Sequence, residues 1–179
     1  MDPIFRTDLK RVVLTGSESV GKTSLARELA LHFDVECVPE FVREYAALKG
    51  APLDFKDHGP IARGQIAIED EYAARANKLL IQDTDLVSTV VYCDHYFGRC
   101  PQFIVDAARE RRAHLYLLLD IDVAWVPDGI RDRGDRRDEM HALFASRLAE
   151  LGMSTENISG GFPARFEAAV RAVESLLAA

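Results

Sequence analysis

With 179 residues the chain has room for one core of useful size and little for a second, and 48% hydrophobic with 28% charged residues is the balance of a globular protein. Its formal net charge of −7 excludes a general nucleic-acid surface, because a phosphate backbone is repelled where no basic stripe offsets that charge. No apolar run reaches membrane-spanning length, the N-terminus lacks the apolar stretch of a secretory leader, and Cys37, Cys93 and Cys100 show no ligand spacing, so reduced thiols in the cytoplasm are expected.

After a short polar lead, residues 1–9, RVVLTG is a continuous apolar run of the buried-strand kind that ends in a glycine. KTSLARELALHF predicts a helix with Leu25, Leu29 and Phe33 on one face. DVECVPE reads as a second strand closed by Pro39, and FVREYAALKG as a short helix ending at Gly50. APLDFKDHG is a loop, with Pro60 opening a long helix through about Lys78. LLIQDTD is the third strand, polar only at its C-terminal end, and VSTVVYCDHYFG and PQFIVDAARERR read as helices. HLYLLLDID is almost wholly apolar, as a central parallel strand should be. An irregular, charge-dense VAWVPDGIRDRGDRRDE precedes a helix carrying Met140, Phe144, Leu148 and Leu151 at helical spacing. STENIS is a short edge strand, and the turn GGFP leads to a last helix expected to bury Phe166, Val170, Val173 and Leu177. Strands alternating with helices predict an α/β fold around a mainly parallel sheet, one domain over 1–179.

The stretch GSESVGKT fits G-x-x-x-x-G-K-[ST] and lies between a predicted strand and a predicted helix, the context that gives this pattern meaning. Gly16 and Gly21 free the backbone so that the N–H groups of Ser17, Glu18, Ser19 and Val20 can turn toward phosphate oxygens, and the helix beginning near Lys22 adds its positive dipole end. Lys22 can reach the β- and γ-phosphates, Thr23 can ligate Mg²⁺ through its hydroxyl, and Ser24 completes the set. A nucleoside triphosphate is therefore expected. No N-K-x-D guanine-reading motif follows, which disfavours a GTPase.

In an open α/β sheet, ligands gather beyond the carboxyl ends of the strands. Glu40 closes the second predicted strand, and Asp83 and Asp85 close the third. A kinase needs acids there for two tasks, holding Mg²⁺ and accepting the hydroxyl proton of the acceptor. Asp83 suits the metal side and Glu40 the base. Asp85 can orient a substrate hydroxyl, exchange roles with Glu40, or simply cap the following helix. Arg43 and Tyr45, close behind Glu40, are candidate substrate contacts.

RDRGDRRDE, residues 131–139, holds four arginines and four acids. It is either a solvated loop of weak ion pairs or a lid, spanning about 126–139, that closes over the triphosphate. In the second case Arg131, ahead of Arg133, Arg136 and Arg137, meets the transferring phosphoryl group, since guanidinium forks pair bidentately with phosphate oxygens. Trp125 is the one tryptophan; it is either core or a platform for a flat cationic ring, worth ~1–2 kcal/mol when desolvated, with Tyr45 or Tyr92 opposite. Arg165 is a candidate to stack on the nucleotide base.

Taken together, GSESVGKTSLA, PEFVREYA, IARGQIAIEDEY, IQDTDLVST, WVPDGIRDRGDRR and GFPARFEAAV resemble the ribosylnicotinamide kinase domain of NadR-type proteins, within the wider P-loop ATPase/kinase family, over nearly the whole chain. The resemblance implies a three-layer nucleoside-kinase-like fold with a five-stranded parallel sheet. It implies ATP and Mg²⁺ as cofactors, and phosphorylation of the ribose 5′-hydroxyl of nicotinamide riboside to give nicotinamide mononucleotide. By position it places the phosphate loop on Gly16–Thr23, strand-end acids on Asp83 and Asp85, and an aromatic–lid segment on Trp125, Asp128 and Arg131. Only MDPIFRTDLK precedes the first strand and no HxGH signature occurs, so adenylylation and transcriptional control are not carried over. Another nucleoside, nucleotide or vitamin-like alcohol as acceptor, or a regulatory ATP-binding module, are the competing expectations.

Overall fold

A computed structural model describes residues 3–124 and 136–179. Its centre is a five-stranded, all-parallel sheet in the order β2-β3-β1-β4-β5. The strands are β1 (Lys10–Thr15), β2 (Cys37–Val38), β3 (Leu79–Asp83), β4 (Leu115–Leu119) and β5 (Thr155–Ile158). The most continuously apolar runs, β1, β3 and β4, take the middle, as burial on both faces requires. In register, Val12 lies between Ile81 and Leu115.

Alternate side chains of these strands feed opposite cores. Val12, Leu14, Ile81, Leu117 and Leu119 pack with α1 (Lys22–His32) and α7 (Phe162–Ala178). Val13, Tyr116 and Leu118 pack with α4 (Leu86–Phe97), α5 (Gln102–Glu110) and α6 (Arg137–Glu150). α2 (Phe41–Lys49) and α3 (His58–Arg75) complete the three layers, α3 covering Leu80 and Val38 through Ala73.

Several expected boundaries shift, each for a local reason. β2 is only two residues long, because Pro39 stops the ladder and little of DVECVPE pairs. α3 starts at His58, two residues before Pro60: Asp54 and Asp57 form a reciprocal capping box around a 3₁₀ turn that winds straight into the helix. It stops at Arg75, short of Lys78, where the Arg6 guanidinium takes the carbonyls of Ala73, Ala76 and Asn77. The lead at 3–9 is thus not merely polar, for Ile4 and Leu9 are buried beneath α3. β5 is an edge strand with three exposed residues, as anticipated. Of the four residues expected to be buried on the last helix, Val173 is, together with Arg165, Ala169 and Ala172; Phe166 and Val170 are half-buried, and Leu177 is 41% exposed. The two alanines set a close approach to the sheet that bulkier side chains would prevent.

Candidate active site

The turn between β1 and α1 has the conformation that its glycines allow. Gly16 lies at φ 128°, where a Cβ would meet the Leu119 carbonyl oxygen at 3.0 Å. Gly21, at φ 87°, caps α1, and Ser19 lies between them at φ 53°. Ser17, Glu18 and Val20 are buried; Ser24 is exposed. Lys22 is 7% exposed, and its ammonium folds back over the turn to donate to the carbonyls of Gly16 (3.0 Å) and Ser17.

β3 ends against the same turn. Thr23 Oγ1 donates to Asp83 Oδ2 at 2.6 Å, joining the start of α1 to the end of β3. The other oxygen, Asp83 Oδ1, is buried and has no hydrogen-bond partner. Burial raises the Asp83 carboxyl above its ordinary value, opposed by the Thr23 bond and reinforced by the neighbouring Glu40 carboxylate. Thr84 then leaves the strand at φ 68°, an unusual conformation for a β-branched residue, held by its N–H bond to Leu14 O. That sharp exit delivers Asp85 to the N-cap of α4, where Oδ1 accepts from the Val87 N–H (2.9 Å) and Oδ2 from the Tyr116 hydroxyl (2.7 Å). Burial pushes the Asp85 carboxyl up to about 6 despite these donors.

Beside these strand ends opens a cavity of about 400 Å³ between α2, α3 and α4. Glu40 and Asp85 stand at its acidic side; His58, Tyr92, Tyr96 and Phe97 supply an aromatic side. Tyr92 and Tyr96 lie nearly parallel, centroids 6.2 Å apart, and His58 meets Phe97 edge-on at 5.2 Å. Glu40 is paired with Arg43 at 2.9 Å. Two α3 residues place this entrance. Gln65 accepts the Phe41 N–H (3.0 Å) while donating to the buried Glu69 (3.1 Å), and Gly64 leaves room for the Phe41 ring.

Sequence reasoning did not single out His58, Gln65, Tyr96 or Phe97. The i, i+4 spacing of Tyr92 and Tyr96 was a readable sign of a shared helical face, whereas His58 and Gln65 meet the cavity only because α3 crosses it. Tyr45 is not among the residues around the cavity; its hydroxyl donates to Asp57 at 2.8 Å. Arg136 pairs with Glu139 (2.6 and 2.9 Å) at the start of α6, and Arg137 donates to Val123 O. Arg165 does not lie open for stacking, since its guanidinium is spent on backbone carbonyls. Trp125, Asp128, Arg131, Arg133 and most of the expected lid lie outside the described residues.

Comparison with known proteins agrees with this architecture. The AAA domain family matches residues 11–165. The trifunctional NAD biosynthesis/regulator protein NadR of Escherichia coli K12 is 34% identical over 148 residues, covering 79% of this chain and 36% of that protein. Its counterpart from Salmonella typhimurium LT2 is 33% identical over 147 residues, covering 80% and 35%. The chain thus spans about a third of these relatives. A crystal structure of NadR in complex with NR superposes with a TM-score of 0.79 at 26% identity, over 94% of this chain and 51% of that one. Thymidylate kinase from Ehrlichia chaffeensis, at 12% identity and a TM-score of 0.68 over 92% of this chain and 98% of its own, shares the fold alone. The chain belongs to the AAA domain family, and the resemblance to NadR-type proteins drawn from its motifs holds in both sequence and structure.

Proposed function

We propose that this chain is an ATP-dependent small-molecule kinase that phosphorylates the ribose 5′-hydroxyl of nicotinamide riboside, giving nicotinamide mononucleotide. The observation that carries the proposal is a juxtaposition: the cavity holding Glu40 and Asp85 adjoins the Thr23–Asp83 link at the phosphate loop. A nucleoside in the first and a triphosphate on the second meet at the strand ends. NadR has been solved with NR, and also with NAD and AMP-PNP, at 26% and 25% identity to this chain.

On this reading the loop N–H groups and Lys22 hold the β- and γ-phosphates. The donor set fits Mg²⁺: a threonine hydroxyl beside a buried carboxylate with one unpartnered oxygen offers hard oxygen ligands. Among the described residues no cluster of three or more His, Cys, Asp and Glu occurs, so protein and phosphates would share the ion. When bound, Mg²⁺ neutralises charge on the phosphate oxygens. Glu40 accepts the proton of the 5′-hydroxyl as that oxygen bonds to the γ-phosphorus, the bridging P–O bond breaks and ADP departs. Asp85, held by Val87 and Tyr116, is preorganised to orient the ribose. No described helix is long and apolar enough to cross a membrane, and the three cysteines are free, which suits a reaction in the reducing cytoplasm.

The test is ATP consumption over a panel of nucleosides, nucleotides and vitamin-like alcohols with Mg²⁺, product identified by mass. Nicotinamide riboside should give the highest kcat/KM, and Lys22→Ala should lower turnover at least about a hundredfold while still folding. A better acceptor elsewhere in the panel would reassign the substrate. Slow hydrolysis indifferent to every acceptor would overturn the kinase.

A further inference from the structure

Arg165, in the first turn of α7, is 2% exposed, yet it touches no part of the cavity. Its guanidinium donates to carbonyl oxygens of three separate segments: Val20 in the phosphate loop (2.7 Å), Asp120 just beyond β4 (2.8 Å) and Gly160 in the turn before α7 (2.7 Å). It also pairs with the Asp122 carboxylate, whose other oxygen accepts the Gly160 N–H at 2.5 Å. The Gly160 N–H and Arg165 together hold Asp122 below the usual carboxylate range. A permanent cation is costly to bury, and a well-packed apolar side chain often serves stability as well. The network therefore calls for an explanation beyond holding α7 in place.

Peptide planarity supplies it. In a trans peptide the carbonyl of one residue and the N–H of the next point in opposite directions, and no cis bond occurs among the described residues. Turning the Val20 carbonyl toward Arg165 obliges the Gly21 N–H to face the other way. Gly21, at φ 87°, has no side chain to hold that plane, so an outside anchor must do it. We propose that Arg165 is a positioning residue that presets the Val20–Gly21 peptide, so that the Gly21 N–H is aimed at the phosphates before they arrive. Asp122 fixes the guanidinium and ties this setting to the end of β4 and the Gly160 turn. The inference rests on the reading of Gly16–Thr23 as a nucleotide phosphate loop.

Direct binding of AMP-PNP and of inorganic tripolyphosphate, each with Mg²⁺, tests it without reliance on turnover, alongside melting of the unliganded protein. Arg165→Lys keeps the charge but loses the fork. It should fold, and should bind both probes about tenfold more weakly, as expected for one mis-set charge-assisted contact. AMP affinity should change less than about twofold, whereas general loosening of the fold would weaken all three alike. A folded Arg165→Lys that binds both polyphosphates as tightly as the parent overturns the proposal, and so does an equal loss for AMP. Should Arg165→Lys not fold, Asp122→Asn decides: about threefold weaker polyphosphate binding supports the role, and unchanged binding ends it. A parent protein that binds neither polyphosphate would sink the phosphate loop itself, while intact binding without acceptor-dependent turnover would sink only the kinase.

Discussion

Two carboxylates face the cavity, and on the proposed reading their surroundings suit them to different tasks. Asp85 has both oxygens engaged by fixed donors, which suits orientation. Glu40 sits at the N-cap of α2 without capping it and shares its charge with the half-exposed Arg43. We predict that Glu40→Gln lowers kcat by about 10²–10⁴ with little change in the KM for ATP, as removal of a general base should. An unchanged kcat would remove Glu40 from that role. Behind them Glu69 is wholly buried. Burial pushes its carboxyl up to about 7, with the Asp85 charge adding to the rise and Arg111, 3.5 Å away, opposing it. Since Glu69 and Asp85 both titrate above their ordinary values, these two groups bind more protons in the folded chain than in the unfolded one between about pH 4 and 7, and their contribution to stability falls as pH rises through that window. Glu69→Gln, which can still accept from Gln65, should flatten this slope in urea unfolding across the same range. A slope equal to the parent's would show that Glu69 titrates normally.

Helix α3 shows how one element serves two sites. Its first turn presents His58 to the cavity, its middle docks the start of α2, and its inner face holds Glu69. A Cβ at Gly64 would lie 2.0 Å from the Phe41 ring. Gly64→Ala should therefore displace Phe41, and Glu40 beside it, at a cost of about 1–3 kcal/mol from overpacking. It should raise the acceptor KM more than the ATP KM; equal effects on both would mean that the start of α2 does not place Glu40. The helix was legible as a long segment, but both ends were misplaced: Pro60 is as acceptable at the third helical position as at the first, and the Arg6 contacts that meet its last turn come from a distant segment. α7 was legible as a helix with Val173 buried and Phe166 and Val170 against the core, but not in its burial of Arg165. An arginine reads as solvent-facing until its carbonyl partners, from segments as far away in sequence as Val20, are known.

Across the whole molecule, a nucleotide bound at the carboxyl ends of the central strands should hold β1, β3 and α1 together. Saturating Mg-ATP at about a hundred times its Kd should stabilise the chain by about 2.7 kcal/mol, a melting shift of roughly 5–10 °C for a chain of this size. Thr23→Val should remove the part of the shift that depends on Mg²⁺ while leaving that of ATP alone; a magnesium increment equal to the parent's would take Thr23 out of the metal site. The strand order 2-3-1-4-5 makes this coupling possible, since it puts the ends of β1 and β3 side by side with Thr23 over Asp83.

Residue order alone was sufficient for the phosphate loop, the alternation of strands and helices, and the acids at the strand ends. Each is a local pattern: a spacing of glycines, a hydrophobic period, a charge closing an apolar run. The cavity, the docking of Phe41 on α3 and the burial of Arg165 needed the folded chain. They arise where segments distant along the backbone meet, and such meetings follow from packing and from the satisfaction of buried polar groups, neither of which leaves a periodic trace in the amino-acid string.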